Sequence, residues 1–496
     1  MGFFLDIDRW DRNKTIAAII IVYLFTRLVF LTAVPFIADE GPYSVMIEEQ
    51  IAHPAFAVTF LDQTIGWKPP LMFWIYGIFV SVLRGLPIPI DALYRLPGIF
   101  FGLVNVILIF LIFERVLKDR KLAFLGCIAY LSIFVSVQTD VRVLTDTLSG
   151  TFIFAGILAY MMGLEDRRMF LAGGLLTALA YLTKQTVAAT VPVLALALLF
   201  EKDKKKLLDP LFLVSLIGFP LGMFLFNASL SSSFGSDSSY LLQNYVLAKL
   251  TIDNISQSLV IFLPMGLTLI PLALFGFVKE LKENLMMSVW FALTIFPIIA
   301  GNMMPFYFYP VMPAVAYFGV RLLSKNEKGE ITTDKFFYII FAVIVLLGFV
   351  FGALQHLSYY PAYENEKDAG EYLAGKENVL IIGDYSPGVF GYKMLEEKRS
   401  SGKWLDYGMI ILQSSNLNGA LYYDFIPDYH AHPSGVDISD GDFRPLFAPT
   451  NMVFRKNTSI TRFDYICVAG NSSVNPGGTR VLNNSYVQIY DMRETG

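Results

Sequence analysis

The sequence predicts a polytopic α-helical membrane protein of about eleven transmembrane helices, followed by a small extracytoplasmic α/β domain. Of its 496 residues, 55% are hydrophobic and only 16% are charged, which leaves too little polar side chain to cover a soluble protein of this length. The mean hydropathy is correspondingly high, at +0.54. The apolar residues also occur in blocks of about 20, the length that crosses the hydrocarbon core of a bilayer.

The apolar blocks fill the first three-quarters of the chain. The predicted spans are 16–36, 96–113, 122–138, 147–163, 169–183, 187–200, 210–227, 258–278, 285–301, 306–323 and 336–355. Several are close to the lower limit of about 17 residues, so the count carries a margin of about one or two. The first block has no small-residue cleavage site and is therefore interpreted as a signal anchor.

Lysine and arginine collect in alternate loops, and this bias predicts the orientation. The positive loops are Arg9–Lys14, Glu114–Lys121, Glu165–Arg168, Lys202–Lys206, Lys279–Lys282 and Arg321–Lys335. The positive-inside rule places all of them in the cytoplasm. The predicted protein is therefore a multi-pass protein of the cell membrane with a cytoplasmic N-terminus and an extracytoplasmic C-terminal domain.

The apolar segment Pro69–Leu83 does not fit a simple alternation of spans. If it crossed the membrane, the positive cluster that begins at Glu114 would move to the outside. We therefore interpret it as a juxtamembrane or re-entrant helix within a long first external loop, residues 37–95. The predicted transmembrane domain covers residues 1–355.

Residues 356–496 have a different composition, richer in Asp, Asn, Gly and Ser. Strand-like runs occur at Val379–Ile382, Met409–Leu412 and Tyr465–Val468, whereas Lys367–Leu373 and Gly388–Glu397 have helical patterns. The mixture predicts a small α/β domain.

The charge and the metal-binding residue types limit the partners. A net charge of −4 without a large basic block excludes a nucleic-acid-binding role. Cys127 and Cys467 are far apart in the sequence, and neither a disulfide nor a ligand pair is expected. With four histidines in all, no metal cluster is evident. No cofactor is predicted, and a divalent metal ion stays open as an alternative.

The first external loop carries the first group of candidate residues. Asp39 and Glu40 follow the first span directly, and Tyr43 lies one helical turn further on. A polar stop at the helix end explains the acidic pair equally well. Lys68 precedes Pro69–Pro70, and a cation beside a helix start suits a phosphate-sized anion. Lysine snorkelling to lipid headgroups is the common alternative.

The second external loop, between the predicted third and fourth spans, contains Asp140, Arg142 and Asp146. These charges either pair with one another or line a polar cavity, and ionisable groups at such depth are functional candidates. Arg27 lies inside the first span, about three helical turns before Asp39. An internal partner or an anionic ligand is therefore expected for it.

These motifs, in this order, resemble the protein-mannosyltransferase and aminoarabinose-transferase branch of the glycosyltransferase C superfamily. The resemblance covers about residues 15–325. It rests on Asp39–Glu40 with Tyr43, on Lys68–Leu71, on the charged second loop, on Tyr181–Lys184 and on Phe306–Pro313, which is similar to a Tyr-x-x-Pro-x-x-Pro span start. No single motif is specific, but their order and their shared side together are informative.

The resemblance implies an inverting, mannosyltransferase-like transfer of a hexose. The sugar would move from a polyprenyl- or dolichyl-phosphate donor in the membrane to a protein, lipid or glycan acceptor on the outer face. It implies that Asp39, with Glu40 beside it, is the catalytic carboxylate and that Lys68 contacts the lipid phosphate. The further candidates for binding the phosphate or the sugar are Arg142, Asp140, Asp146, Tyr43, Tyr307, Tyr309 and Arg27.

Two departures from the resembled enzymes bear on the substrate. Trp67 stands where the aminoarabinose enzymes carry a glutamate, which removes a metal ligand. The loop 228–257 lacks the folded domain that protein mannosyltransferases insert there, which argues against protein acceptors. The missing insertion and the external α/β domain favour a prokaryotic cell envelope.

Two other classes of function compete with the transferase. A transporter or lipid flippase would typically show internal repeats or paired broken helices. We find no repeat, and the charges gather at one face. A catalytically inactive scaffold, whose tail binds partners, is the second alternative.

Overall fold

The computed structural model describes most of the chain. The described residues are 11–32, 34, 36, 40–60, 63–64, 68–230, 256, 269–281, 283–294, 305–324, 335–376, 379–382, 386–401, 410–412, 422–424, 443–445, 464–469, 478–484 and 486–493. Predicted features that fall elsewhere, Asp39 and Trp67 among them, lie outside the described residues.

The first half of the chain is almost entirely helical. Its helices are α1 (Arg12–Leu28), α2 (Glu40–Ala52), α3 (Leu71–Leu83), α4 (Ile90–Leu117), α5 (Arg120–Ser132), α6 (Phe134–Asp140), α7 (Thr145–Met162), α8 (Met169–Thr183), α9 (Gln185–Ala188), α10 (Thr190–Lys202), α11 (Pro210–Ser215) and α12 (Gly218–Leu230). A short hairpin of β1 (Thr59–Phe60) and β2 (Gln63–Thr64) follows α2. A 3-10 turn, Lys204–Leu208, precedes α11.

The second half continues with helices and ends in strands. Its helices are α13 (Ile270–Glu280), α14 (Leu285–Ala292), α15 (Met312–Ser324), α16 (Lys335–Leu373) and α17 (Ser386–Ser401), with a 3-10 helix at Pro305–Val311. Its strands are β3 (Val379–Ile382), β4 (Ile410–Leu412), β5 (Tyr422–Asp424), β6 (Phe443–Pro445), β7 (Tyr465–Ala469), β8 (Thr479–Asn483) and β9 (Val487–Asp491).

Short polar side chains set several helix starts. Asp11 accepts a hydrogen bond from the backbone N–H of Lys14 and begins α1, and Asp119 does the same for Leu122 at the start of α5. Helix α3 begins directly after Pro69–Pro70, as expected, with Pro70 at its N-cap. The first turn of α3 thus leaves its backbone donors next to Lys68.

Several helices expose large apolar side chains on their outer surface. Phe25, Phe224, Phe275 and Val278 are each at least two-thirds exposed. Four described segments are long and apolar enough to cross a membrane, namely Ile90–Leu117, Gln185–Lys202, Pro210–Ala228 and Phe336–Leu373. The pair α5–α6, bent by 71°, would make a fifth. The expected total of about eleven spans stays a prediction.

Ion pairs and backbone contacts bring the positive loops to one end of the helix bundle. Arg12 pairs with Glu114 at 2.8 Å, and Arg115 pairs with Glu165 at 2.7 Å. Lys206 donates to the carbonyl of Leu164. Glu201 accepts from the N–H of Leu285, and Arg321 pairs with Glu280 beyond it. The charged loops therefore share a side, although which side of the membrane this is stays a prediction.

The end of α1 and the start of α4 lie together at the opposite end of the bundle. Arg95, in the first turns of α4, contacts the carbonyls of Leu31 and Val34 just after α1. Helix α3, with 13 residues, is about 20 Å long and shorter than the hydrocarbon core of about 30 Å. Placing this segment outside the cell remains a prediction.

The last long helix connects the bundle to the C-terminal domain. Helix α16 has 39 residues and is about 58 Å long, nearly twice the thickness of the hydrocarbon core. Its apolar part, 336–355, accounts for a span, and its polar part, 356–373, extends beyond it. The segment Lys367–Leu373 is helical as predicted, but it is continuous with the last span rather than a separate element.

The C-terminal domain contains a mixed five-stranded sheet in the order β4-β3-β7-β9-β8. Strand β3 runs parallel to β4 and β7, with Ile381 beside both Ile411 and Cys467, and β9 is antiparallel to β7 and β8. Strands β5 and β6 form a separate parallel pair. The three predicted strand runs are confirmed, and the predicted helix at Gly388–Glu397 lies within α17.

Candidate functional site

Helix α4 approaches the loop 139–146 closely because it carries two glycines one turn apart. A β carbon on Gly98 would stand 2.9 Å from the carbonyl oxygens of Asp140 and Arg142. A β carbon on Gly102 would stand 2.7 Å from the carboxyl group of Asp140. A larger residue at position 98 or 102 would push this loop away from α4. The two glycines therefore determine how close the charged residues of the loop lie to the helix.

Asp140 is held at this depth by a buried polar network. Its Oδ2 accepts from Arg27 Nε at 3.1 Å, and its Oδ1 accepts from the Tyr309 hydroxyl at 2.8 Å. Arg27 also donates to Ser136 and to the Leu131 carbonyl. Arg27, Asp140 and Tyr309 are all 0% exposed. Hydrogen bonds to Asp140 therefore join three predicted site residues, and Arg27 has the internal partner that the sequence led us to expect.

Glu40 is also buried, and it joins the start of α2 to α4 and to the loop 139–146. Its carboxylate accepts from Arg95 Nε at 3.0 Å and Nη2 at 3.2 Å, and Oε1 also accepts from the backbone N–H of Val143 at 3.0 Å. Arg95 donates further to the carbonyls of Leu31 and Val34. Arg95 thus contacts the chain on both sides of 37–39, and the carboxylate of Glu40 is buried between Arg95 and the backbone of Val143.

Tyr43 and Lys68 form a second contact within the first loop. Lys68 Nζ donates to the Tyr43 hydroxyl and lies 4.3 Å from the centre of its ring. The Tyr43 ring packs edge-on against Phe73 of α3, and it is 2% exposed. Lys68 is half-buried. A lysine held over an aromatic face is an oriented cation, and it still reaches solvent.

Asp146, Lys184 and Tyr307 form a third group at the same end of the bundle. Lys184 Nζ lies 2.5 Å from Asp146 Oδ1, 4.0 Å from the centre of the Tyr307 ring and 5.1 Å from that of Phe306. Lys184 occupies the break between α8 and α9, where its backbone is extended. Its side chain is 10% exposed.

Arg142 is buried beside Gln138, with 5% of its surface exposed. In the amide orientation that satisfies both groups, the Gln138 oxygen accepts from Arg142 Nη2 at 2.9 Å and Nη1 at 3.1 Å. One apolar cluster joins the neighbouring Val143 and Leu144 to Tyr43 and Phe306, with Tyr307 packed against it. The three groups of polar side chains are therefore parts of one site region.

Asp39 cannot be placed in this geometry because it lies outside the described residues. Cys127 and Cys467 are both free and buried. Within the described ranges, no group of three or more His, Cys, Asp or Glu side chains could hold a metal ion.

Two residues of this region were missed by the sequence argument. Arg95 was placed only at the boundary of the loop 37–95, although Asp91 lies four residues before it and pairs with it at 3.8 Å. Lys184 was noted only as part of a motif. In both cases the signal was a single cation at the end of an apolar block, whereas Arg27 was noted because it lies inside one.

Residues 67–229 match the family model described as dolichyl-phosphate-mannose-protein mannosyltransferase. This segment begins next to Lys68 and ends in α12, so it includes Arg95, the second loop and Lys184. No curated protein sequence matches the chain.

Solved structures resemble most of the chain in fold. The crystal structure of ArnT from Cupriavidus metallidurans bound to undecaprenyl phosphate aligns with a TM-score of 0.59 at 14% identity, over 82% of this chain and 94% of that one. The apo structure of the same protein gives 0.54 at 16% identity, over 80% and 92%. The mycobacterial arabinofuranosyltransferase AftD gives 0.50 at 10% identity, over 97% of this chain and 40% of that one.

The resemblance predicted from the motifs is therefore confirmed at the level of the fold. The chain aligns with the structure of ArnT over 82% of its own length and 94% of that chain. It is a protein of the glycosyltransferase C fold, similar to the protein-mannosyltransferase and aminoarabinose-transferase branch.

Proposed function

We propose that this protein is a membrane glycosyltransferase that moves a sugar from a polyprenyl- or dolichyl-phosphate donor to an acceptor on the outer face of the membrane. The fold and the match to a mannosyltransferase family support the class of reaction. The observation that carries the proposal is a pair of lysines at the site end of the bundle, each held over a tyrosine ring.

Lys68 and Lys184 are suited to the phosphate of the donor. Each contacts a tyrosine ring. Lys68 is half-buried, whereas Lys184 is 10% exposed and is proposed to reach the donor once its ion pair with Asp146 opens. Arg142 adds a third cation in the neighbouring loop. A phosphate that leaves as an anion needs fixed positive charge, because no proton transfer serves it well. Undecaprenyl phosphate in the structure of ArnT is a ligand of this chemical class.

The proposed chemistry is an inverting displacement at the anomeric carbon. The acceptor hydroxyl forms a new C–O bond, the bond between the anomeric carbon and the phosphate oxygen breaks, and the polyprenyl phosphate leaves with the electron pair. The acceptor proton passes to a carboxylate, for which we propose Asp39. Glu40 is occupied by Arg95 and Val143, so its role is to position the segment that precedes it.

The buried network around Asp140 is proposed to position the second loop. Arg27 and Tyr309 hold the carboxylate of Asp140. Arg142 lies two residues after Asp140 in the same loop. Asp146 pairs with Lys184 in the resting protein and would release it toward the donor. The sugar is proposed to be a hexose, as in mannosyltransferases.

Donor dependence tests the phosphate site. Purified variants Lys68→Ala and Lys184→Ala are compared with the wild type for the binding of polyprenyl phosphate and of radiolabelled polyprenyl-phosphate sugars. A charge-assisted contact to phosphate contributes about 1.5–3 kcal/mol, so each variant should need about 10- to 100-fold more donor. Lys14→Ala is the matched control, since Lys14 is exposed at the opposite end of the bundle.

If the two lysines only anchor the protein to lipid headgroups, the donor-binding measurements give a different result. If Lys68→Ala and Lys184→Ala bind the donor as the control does, neither lysine holds the phosphate. The proposed site would then be wrong.

A further inference from the structure

The polar part of α16 contains a buried carboxyl group at the junction with the C-terminal domain. Glu366 is 0% exposed, and neither of its oxygens accepts a hydrogen bond from any residue in the described ranges. A β carbon on Gly388 would stand 1.8 Å from Glu366 Oε2 and 2.8 Å from the carbonyl oxygen of Phe36. The backbone of α17 therefore lies directly on this carboxyl group, and only glycine leaves room for it.

The same face of α17 packs on the start of α2. A β carbon on Gly391 would stand 2.7 Å from the α carbon of Gly41 and 3.1 Å from the Phe36 ring. The Tyr392 ring lies 4.7 Å from that of Phe36. The C-terminal domain thus contacts the chain on both sides of 37–39, and it does so next to Glu40.

The surroundings of Glu366 favour its neutral form. Burial raises the pKa of Glu366 well above its usual range, the nearby Glu40 raises it further, and Arg95 opposes both effects. The charge of Glu366 in turn raises the pKa of Tyr392 on α17 and of Cys467 on β7. The titratable and charged groups around the junction are Glu40 on α2, Asp91 and Arg95 on α4, Tyr363 on α16, Tyr392 on α17 and Cys467 on β7.

From this arrangement we propose that Glu366, Gly388 and Gly391 form an interface through which the C-terminal domain positions the first turn of α2 for the proposed transfer reaction. The role rests on the proposed function, because Tyr43 and the preceding carboxylates belong to the proposed site. Glu366 and the two glycines are positioning residues, since none of them faces the cations of the donor site.

The interface has a defined dependence on pH. A carboxyl group whose pKa is higher in the folded state stabilises the fold fully at pH values below its unfolded-state pKa, about 4.3. This stabilisation is lost as the pH rises through the higher pKa of the folded state. Protection of the first turn of α2 should therefore decline with rising pH in the wild type. Glu366→Gln stays neutral at every pH and should abolish this decline.

Hydrogen exchange of the full-length protein in detergent tests the contact. Protection factors are measured for the amides of Glu40–Ala52 in the wild type, in Gly391→Ala and in the control Gly352→Ala. A β carbon on Gly352 would meet only ordinary contacts at 3.9 and 4.0 Å. We expect Gly391→Ala to lower the protection by about tenfold or more, as overpacking does, and Gly352→Ala to leave it unchanged.

Two results would overturn the inference. One is equal protection of α2 in Gly391→Ala and Gly352→Ala, and the other is the same pH dependence in Glu366→Gln as in the wild type. For the positioning role, Gly391→Ala should lower turnover while the donor requirement stays close to that of the wild type. Absence of transfer by the wild type would count against the proposed function alone, since the exchange experiment does not depend on activity.

Discussion

The buried pair of Glu40 and Arg95 gives a prediction whose size follows from the structure. Arg95 makes two hydrogen bonds to Glu40 and two to the carbonyls of Leu31 and Val34, and both charged side chains are 0% exposed. In Arg95→Met, Glu40 keeps its negative charge in a buried position without the guanidinium. Removing one partner of such a pair costs about 3–5 kcal/mol, or roughly 10²- to 5 × 10³-fold in the unfolding equilibrium.

The assay is equilibrium unfolding of the purified protein by SDS in mixed micelles. Arg115→Met is the matched control on the same helix, because Arg115 and Glu165 are 34% and 72% exposed and an exposed pair contributes at most about 1 kcal/mol. The double variant Glu40→Gln with Arg95→Met should recover part of the loss, since the buried charge is gone. Equal stability of Arg95→Met and Arg115→Met would refute the assignment of Arg95 as the clamp of this segment.

Three further perturbations test other parts of the account. Asp39→Asn should lower turnover by about 10²- to 10⁴-fold with donor binding intact, whereas near-normal turnover together with an inactive Asp140→Asn would move the base to the second loop. Gly102→Ala places a β carbon 2.7 Å from the Asp140 carboxyl group and should cost about 1–3 kcal/mol in the same SDS titration, and an unchanged midpoint would contradict the close packing. Protease added to intact cells should remove the C-terminal domain, and protection until lysis would invert the predicted orientation.

Much of the fold could be predicted because apolar length and charge are local signals. The helices α7 and α8 match the predicted spans 147–163 and 169–183 within two residues, and α4 contains the span 96–113 but is longer at both ends. The strands β3 and β7 are short runs of Val and Ile, which sequence reasoning detects equally well. The continuity of α16 through residue 356 was missed because hydropathy falls there, while helix-forming residues continue.

The site was predicted in part. Isolated charges in apolar surroundings pointed to Arg27 and to the second loop, and the structure pairs Arg27 with Asp140. The partners of Glu40 and Asp146 could not be predicted, because Arg95 and Lys184 are 55 and 38 residues away along the chain. The role of Gly388 was also hidden, since a glycine that admits another residue's carboxyl group leaves no local pattern.

Sugar transfer by the purified protein tests the central claim most directly. The wild type is reconstituted in liposomes with a panel of radiolabelled polyprenyl-phosphate sugars and an envelope extract as the source of acceptor. The account predicts that label leaves the lipid fraction of one donor, that polyprenyl phosphate is released in equal amount, and that Asp39→Asn stops both. Label that stays on the donor, or a donor that crosses the bilayer unchanged, would contradict the transferase and favour a transporter.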